Sequence, residues 1–115
     1  MNKKEKGNIG EAQATKYLRG IGYKIIEKNV VNKAGEVDII ATDKDYIVFV
    51  EVKARSSMEF GSPSQAVTSN KKLRYIRFAK LYAMHNKCFD KNIRFDIIEV
   101  FNGEITHIIN AFQAN

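Results

Sequence analysis

Cysteine, proline and tryptophan are nearly missing from this sequence, which holds one Cys, one Pro and no Trp in 115 residues. A lone Cys88 cannot close an internal disulfide, and no Cys–Cys or Cys–His spacing of the zinc-site kind occurs. The fold must therefore rest on its own apolar core, which a chain of this length can supply. The same cysteine usage leads us to expect a reducing, cytoplasmic setting. Long apolar runs are missing too: the longest, Tyr46 to Val50, is far too short to span a bilayer, so no membrane partner is expected. The basic N-terminus is followed by Gly7, Asn8 and Gly10 where a signal peptide needs an apolar run, so no targeting segment is expected either. His85 and His107 lie far apart and show no ligand spacing, which leaves both without a role.

Positive charge is in excess. Nineteen Lys and Arg against 13 Asp and Glu give a formal charge of +6 and a pI near 9.5. Such a field attracts polyanions and makes nucleic acid the first partner to consider. A solvated cationic surface accounts for the number equally well, so function must come from site chemistry.

The periodicities predict one domain over residues 1–115, with Met1 to Lys6 frayed. Ala14, Tyr17, Leu18 and Ile21 recur at helical steps, predicting a helix from Gly7 to Ile21 that Gly20 and Gly22 stop. Tyr23 to Val31 reads as a strand. Glu36 to Thr42 and Tyr46 to Lys53 read as an antiparallel hairpin. Ser62 to Val67 reads as a helical turn with Pro63 at its first position, and Asn70 to His85 as a second helix whose apolar side carries Tyr75, Ile76, Phe78, Ala79, Tyr82 and Ala83. Asn102-Gly103 then joins two strands within Ile93 to Ile109. The expected architecture is α/β, with helices around a mixed sheet of about five strands.

If Lys44 and Asp45 close the central hairpin, Asp38 falls opposite Glu51. Directly opposed carboxylates repel unless a cation lies between them. Phe49, Glu51 and Lys53 share one face by strand alternation, so Lys53 sits beside the acids, and Glu51 ends a strand whose Ile47 to Val50 run suits burial. Hard oxygen ligands suit Mg²⁺ or Mn²⁺ rather than zinc or copper. Such an ion with Lys53 beside it points to phosphodiester hydrolysis. The competing reading is a surface hairpin in which Glu51 and Lys53 pair and Asp38 is solvated. A loop shifted by one residue would place Asp38 opposite Val50 instead.

Glu11 lies on the inward stripe of the first helix and could complete a metal shell. Asn8-Ile9-Gly10-Glu11 also resembles a capping box, which spacing favours. Arg55, two residues past Lys53 on the same face, is a candidate phosphate contact. Lys71, Lys72, Arg74 and Arg77 offer further contacts along the second helix, against the bland alternative of a solvated face. Gln65 could reach a phosphate. Tyr75, Phe78 and Tyr82 could stack on bases, although aromatics at this spacing more often fill cores.

Gly35-Glu36-Val37-Asp38, followed by Glu51-Val52-Lys53 after an apolar strand, resembles the motif of the PD-(D/E)xK nuclease superfamily, with Val37 where that motif has its proline. From about Gly7 to Phe112 the chain resembles more specifically the YraN-like family of small bacterial proteins. The matching segments are Gly7-Asn8-Ile9-Gly10-Glu11, Glu51-Val52-Lys53-Ala54-Arg55, Phe60-Gly61-Ser62-Pro63 with Ala66-Val67, and Arg94-Phe95-Asp96. The resemblance implies a restriction-endonuclease-like fold similar to archaeal Holliday junction resolvases. It also implies metal-binding roles for Glu11, Asp38 and Glu51, with Lys53 as catalytic lysine, and so reverses the preference for Glu11 as a cap. The leading expectation is a Mg²⁺- or Mn²⁺-dependent DNA endonuclease selective for branched structures. The runner-up is a non-catalytic nucleic-acid-binding module on the same fold, and a third reading is a protein-interaction adaptor. Cutting both strands of a junction would ask for a homodimer.

Overall fold

The computed structural model describes residues 3–55, 68–86 and 91–113. The helical turn expected over residues 62–67, Gln65 and Cys88 lie outside them. Two helices and five strands follow in the order α1 (Lys3–Gly20), β1 (Lys24–Asn32), β2 (Gly35–Asp43), β3 (Tyr46–Arg55), α2 (Ser69–Asn86), β4 (Asn92–Phe101) and β5 (Glu104–Phe112). The strands form one sheet in sequential order. All neighbours are antiparallel except β3 and β4, which run parallel because α2 carries the chain back between them. A mixed five-stranded sheet with helices packed on it matches the expected α/β class and is consistent with a restriction-endonuclease-like fold.

The core divides between the two faces of the sheet. On one face, Ala14 and Leu18 of α1 pack with Ile39, Ala41, Val48, Val50, Ile98 and Val100. On the other, Phe78, Ala79 and Tyr82 of α2 pack with Ile40, Ile47, Phe49, Phe95 and Phe112. The central strands β3 and β4 are therefore covered on both sides, which is why Ile47 to Val50 is apolar at every position rather than alternating. Aromatic rings bind the second layer: Phe49 meets Phe78 and Tyr82 edge-on, and Phe95 stacks on Phe112 at 4.6 Å.

Two departures from the sequence reading concern the ends of α1. Helix α1 begins at Lys3, so Lys3 to Lys6, expected to fray, form its first turn and Asn8 lies inside the helix. A capping box at Asn8 is thereby excluded, because a capping residue must lie outside the helix it caps. Ile21 falls past the helix end and is exposed. Gly10 is buried against β3: a Cβ there would come within 2.9 Å of the Ala54 Cβ, so glycine lets α1 approach the strand end that carries Lys53.

Candidate functional site

The loop between β2 and β3 closes with Asp43 opposite Tyr46, and the register runs through Ile40 with Phe49 to Ile39 with Val50. Lys44, at φ 56°, supplies the left-handed turn residue. The next rung would pair Asp38 with Glu51, and there the ladder stops. The Asp38 carboxylate takes over one of its bonds, Oδ2 accepting the Val52 N–H at 2.8 Å. From this point β2 stays paired with β1 down to Gly35 while β3 continues along β4 to Arg55. A cleft of about 250 Å³ lies where the two strands part. Ala34, Gly35, Glu36 and Asp38 line it from one side, and Lys71, Arg74, Tyr75 and Phe78 of α2 from the other, with Glu51 between them.

Glu51 is only 7% exposed. Its Oε1 pairs with Lys53 Nζ at 3.5 Å and also with Lys71 Nζ. Its Oε2 is buried without a hydrogen-bond partner among the described residues. A buried carboxylate oxygen left bare is costly, and a cation supplied from outside the chain would satisfy it. Asp38 is half-buried, and burial first, then the charges of Glu11, Glu51 and Glu36, raise its pKa from 3.8 to about 6 against the opposing Val52 bond. Crowded acids of this kind also gain from a cation. The Lys53 ammonium is held below its ordinary range by burial and by Lys71, in spite of Glu51. Burial, with Glu51 and Asp38 nearby, pushes the Tyr75 phenol well above its ordinary value, so it remains protonated beside the acids.

Asp38, Glu51, Lys71 and Arg74 thus line one cleft, and Lys53 is joined to it through Glu51. Glu11 is close enough for its charge to act on Asp38, yet among the described residues no three His, Cys, Asp or Glu side chains converge as a ready metal shell. The donors present fit a hard ion that keeps several waters, as Mg²⁺ does, better than one that needs a full protein cage. Lys72 and Arg77 are exposed on α2. Arg55 Nε pairs with Glu99 Oε2 at 2.8 Å. Lys71 likewise meets Glu51 instead of standing on an open basic strip.

Glu99 escaped the sequence reading. It is 4% exposed and opposite Lys53 in the β3–β4 register, which a parallel pairing across 46 positions does not announce locally. Also unforeseen is a buried polar cluster on the α1 face, where Asp96 accepts from Arg94, His107, Tyr23 and the Asn110 backbone. The Arg94-Phe95-Asp96 segment was its only signal. Phe78 and Tyr82 are core residues, Phe78 also forming part of the cleft wall, and Tyr75 reaches the cleft. No helix among the described residues is long and apolar enough to cross a membrane.

Residues 10–100 match the family described as uncharacterised protein family UPF0102. A UPF0102 protein of Clostridioides difficile strain 630 is 49% identical over 114 residues, covering 97% of this chain and 100% of its own. One from Caldanaerobacter subterraneus subsp. tengcongensis is 46% identical over 119 residues, at 97% and 98% coverage. Another, from Clostridium botulinum strain Kyoto, is 46% identical over 120 residues, at 96% and 95%. With the match spanning most of its length, including all residues that line the acidic cleft, the chain belongs to uncharacterised protein family UPF0102.

Proposed function

We propose that this protein is a divalent-metal-dependent endonuclease acting on DNA, with Mg²⁺ or Mn²⁺ held by Asp38 and Glu51. The observation that carries the reading is the bare, buried Oε2 of Glu51 in a cleft that also takes Asp38 and is lined by Lys71 and Arg74. A surface acid would be hydrated, whereas Glu51 is buried in the cleft with a second carboxylate beside it. When bound, the ion would supply Lewis acidity toward a phosphoryl oxygen. Lys53, on the same strand face as Glu51, donates to a phosphate oxygen and offsets the charge that develops there. Arg74 holds the neighbouring backbone phosphate. Glu11 adds negative charge behind Asp38 and strengthens the site's pull on a cation. The +6 charge draws in the polyanion. A branched substrate needs only shape and phosphate contacts, which suits a small domain with little surface for base readout. Cutting both of its strands would engage two copies of the chain.

One observation favours a second reading, a binding module without turnover: two lysines already neutralise Glu51 Oε1. Incubation with linear, single-stranded, flapped and four-way DNA in Mg²⁺, Mn²⁺ or chelator separates the two. Metal-dependent cleavage lost in both Asp38→Asn and Lys53→Ala supports the nuclease, and cleavage that survives either substitution refutes the mechanism. Salt-sensitive DNA binding with no cleavage in any metal selects the binding module.

A further inference from the structure

Lys71 does not belong where it is on helical grounds. Helix α2 carries Lys71 and Lys72 in its first turn, where it has no acid. Positive side chains beside a helix N-terminus oppose its dipole, so neither is there to stabilise the helix. Lys71 instead reaches Glu51 Oε1, an oxygen that Lys53 already attends from within the same strand. One carboxylate oxygen thus carries two ammonium groups, while its twin has no hydrogen-bond partner among the described residues. Lys71 is also part of the cleft lining and more than three-quarters buried, so its charge acts in a poorly screened setting.

We propose that Lys71 is a placeholder cation, neutralising Glu51 while no metal is bound and turning away when a divalent ion arrives. The inference rests on the reading of Asp38 and Glu51 as metal ligands and adds a competitor built into the chain. An ion approaching Oε2 meets the Lys71 ammonium across the same carboxylate, and like charges at that separation repel strongly inside a protein. The ion therefore binds well only to the form in which Lys71 has left, and its apparent affinity falls by the fraction of molecules in that form. Lys53 differs, because it is fixed to the strand that bears Glu51 and has no helix of its own to swing from. The released Lys71 ammonium remains at the cleft beside Arg74, where a polyanion would meet it.

The test is calorimetric titration of Mn²⁺ into the full-length wild type, Lys71→Met, Lys71→Gln, Lys71→Arg and Asp38→Asn, at one pH and ionic strength. If Lys71 holds Glu51 about nine-tenths of the time, Lys71→Met and Lys71→Gln bind Mn²⁺ about tenfold more tightly than wild type. Lys71→Arg, which keeps the charge, stays near the wild-type value. In chelator the two neutral variants melt below wild type, and Mn²⁺ raises their midpoints by more than it raises that of wild type. Lys71→Gln, one atom shorter, keeps a polar end on the side chain, so it reports on the charge if Lys71→Met fails to fold. Mn²⁺ binding that Asp38→Asn abolishes but that is equal or weaker in both neutral variants overturns the placeholder and leaves the metal site standing. No Mn²⁺ binding in wild type or in either neutral variant overturns both.

Discussion

Replacing Asp96 by asparagine tests whether the polar cluster on the α1 face holds the sheet together. The Asp96 side chain is fully buried. Its Oδ1 accepts from Arg94 Nε at 2.9 Å and the Asn110 N–H at 3.0 Å, and its Oδ2 faces His107 Nε2 at 2.8 Å, Arg94 Nη2 at 3.1 Å and the Tyr23 hydroxyl at 3.2 Å. An asparagine oxygen can serve the first pair, but its NH₂ then confronts the donors gathered around Oδ2. His107 can relieve one conflict by moving its proton to Nδ1 and donating to Tyr17, whose hydroxyl lies 3.1 Å away. Arg94 and Tyr23 cannot both adapt, and Arg94 keeps only Asp43, at 2.9 Å, as a carboxylate partner. Leaving buried donors unmet costs about 1–3 kcal/mol each, and breaking a buried charge pair about 3–5 kcal/mol, so a loss of about 3 kcal/mol is expected. At about 4 °C per kcal/mol for a domain of this size, the melting midpoint falls by about 12 °C. Thermal unfolding measures that shift, and urea denaturation followed by circular dichroism measures the free energy, with an unchanged slope showing that the unfolded state is not the cause. The pH dependence supplies a second check. Although burial acts to raise it, hydrogen bonds from His107, Arg94 and Asn110 hold the Asp96 pKa below its ordinary value. The unfolded state then binds the proton more readily, so this stabilisation is present above the unfolded value of about 4 and is lost as pH falls through the folded one. Wild-type stability should drop below about pH 4 by a component that Asp96→Asn lacks. A loss under about 1 kcal/mol at pH 7, with the acid limb intact in the variant, would refute the reasoning.

Gly10→Ala should destabilise by about 1–2 kcal/mol despite the better helix propensity of alanine, because the new Cβ meets Ala54, and Ala54→Gly should recover most of the loss in a double-mutant cycle. Lys44→Gly should raise stability by about 0.5–1 kcal/mol by relieving the left-handed backbone at φ 56°, a gain readable as a higher urea midpoint. Arg74→Ala should lower the salt dependence of DNA binding by about one phosphate contact. Arg55→Ala, which removes the partner of the buried Glu99, should instead lower the melting midpoint with little change in that salt slope; the opposite pattern would exchange their roles.

The parts of the molecule legible in the sequence are those that neighbouring residues specify. A two-residue loop at Lys44 and Asp45 between two apolar strands puts Asp43 opposite Tyr46. Asn102 and Gly103, both at positive φ, turn β4 into β5 in the same way. The start of α1 was not legible because Lys3 to Lys6 carry no apolar periodicity to mark a helix. Glu99 beside Lys53, and Lys71 on Glu51, depend on the β3–α2–β4 crossover, whose parallel register no local turn encodes.

That division explains why Asp38 and Glu51 could be paired from sequence while their chemistry could not. Hairpin spacing brings the two acids to the same rung, but the cleft exists because the ladder ends one rung earlier and Asp38 spends an oxygen on the Val52 N–H. Had the ladder continued, the two carboxylates would have faced each other across an intact sheet, with less room between β2 and α2 for a ligand. Which oxygens remain available is then settled by α2, since Lys71 takes Oε1 of Glu51 and leaves Oε2 bare. A helix that arrives from elsewhere in the chain therefore sets the charge at a site that the hairpin only positions, and substitutions on α2 should tune cation binding without moving either acid.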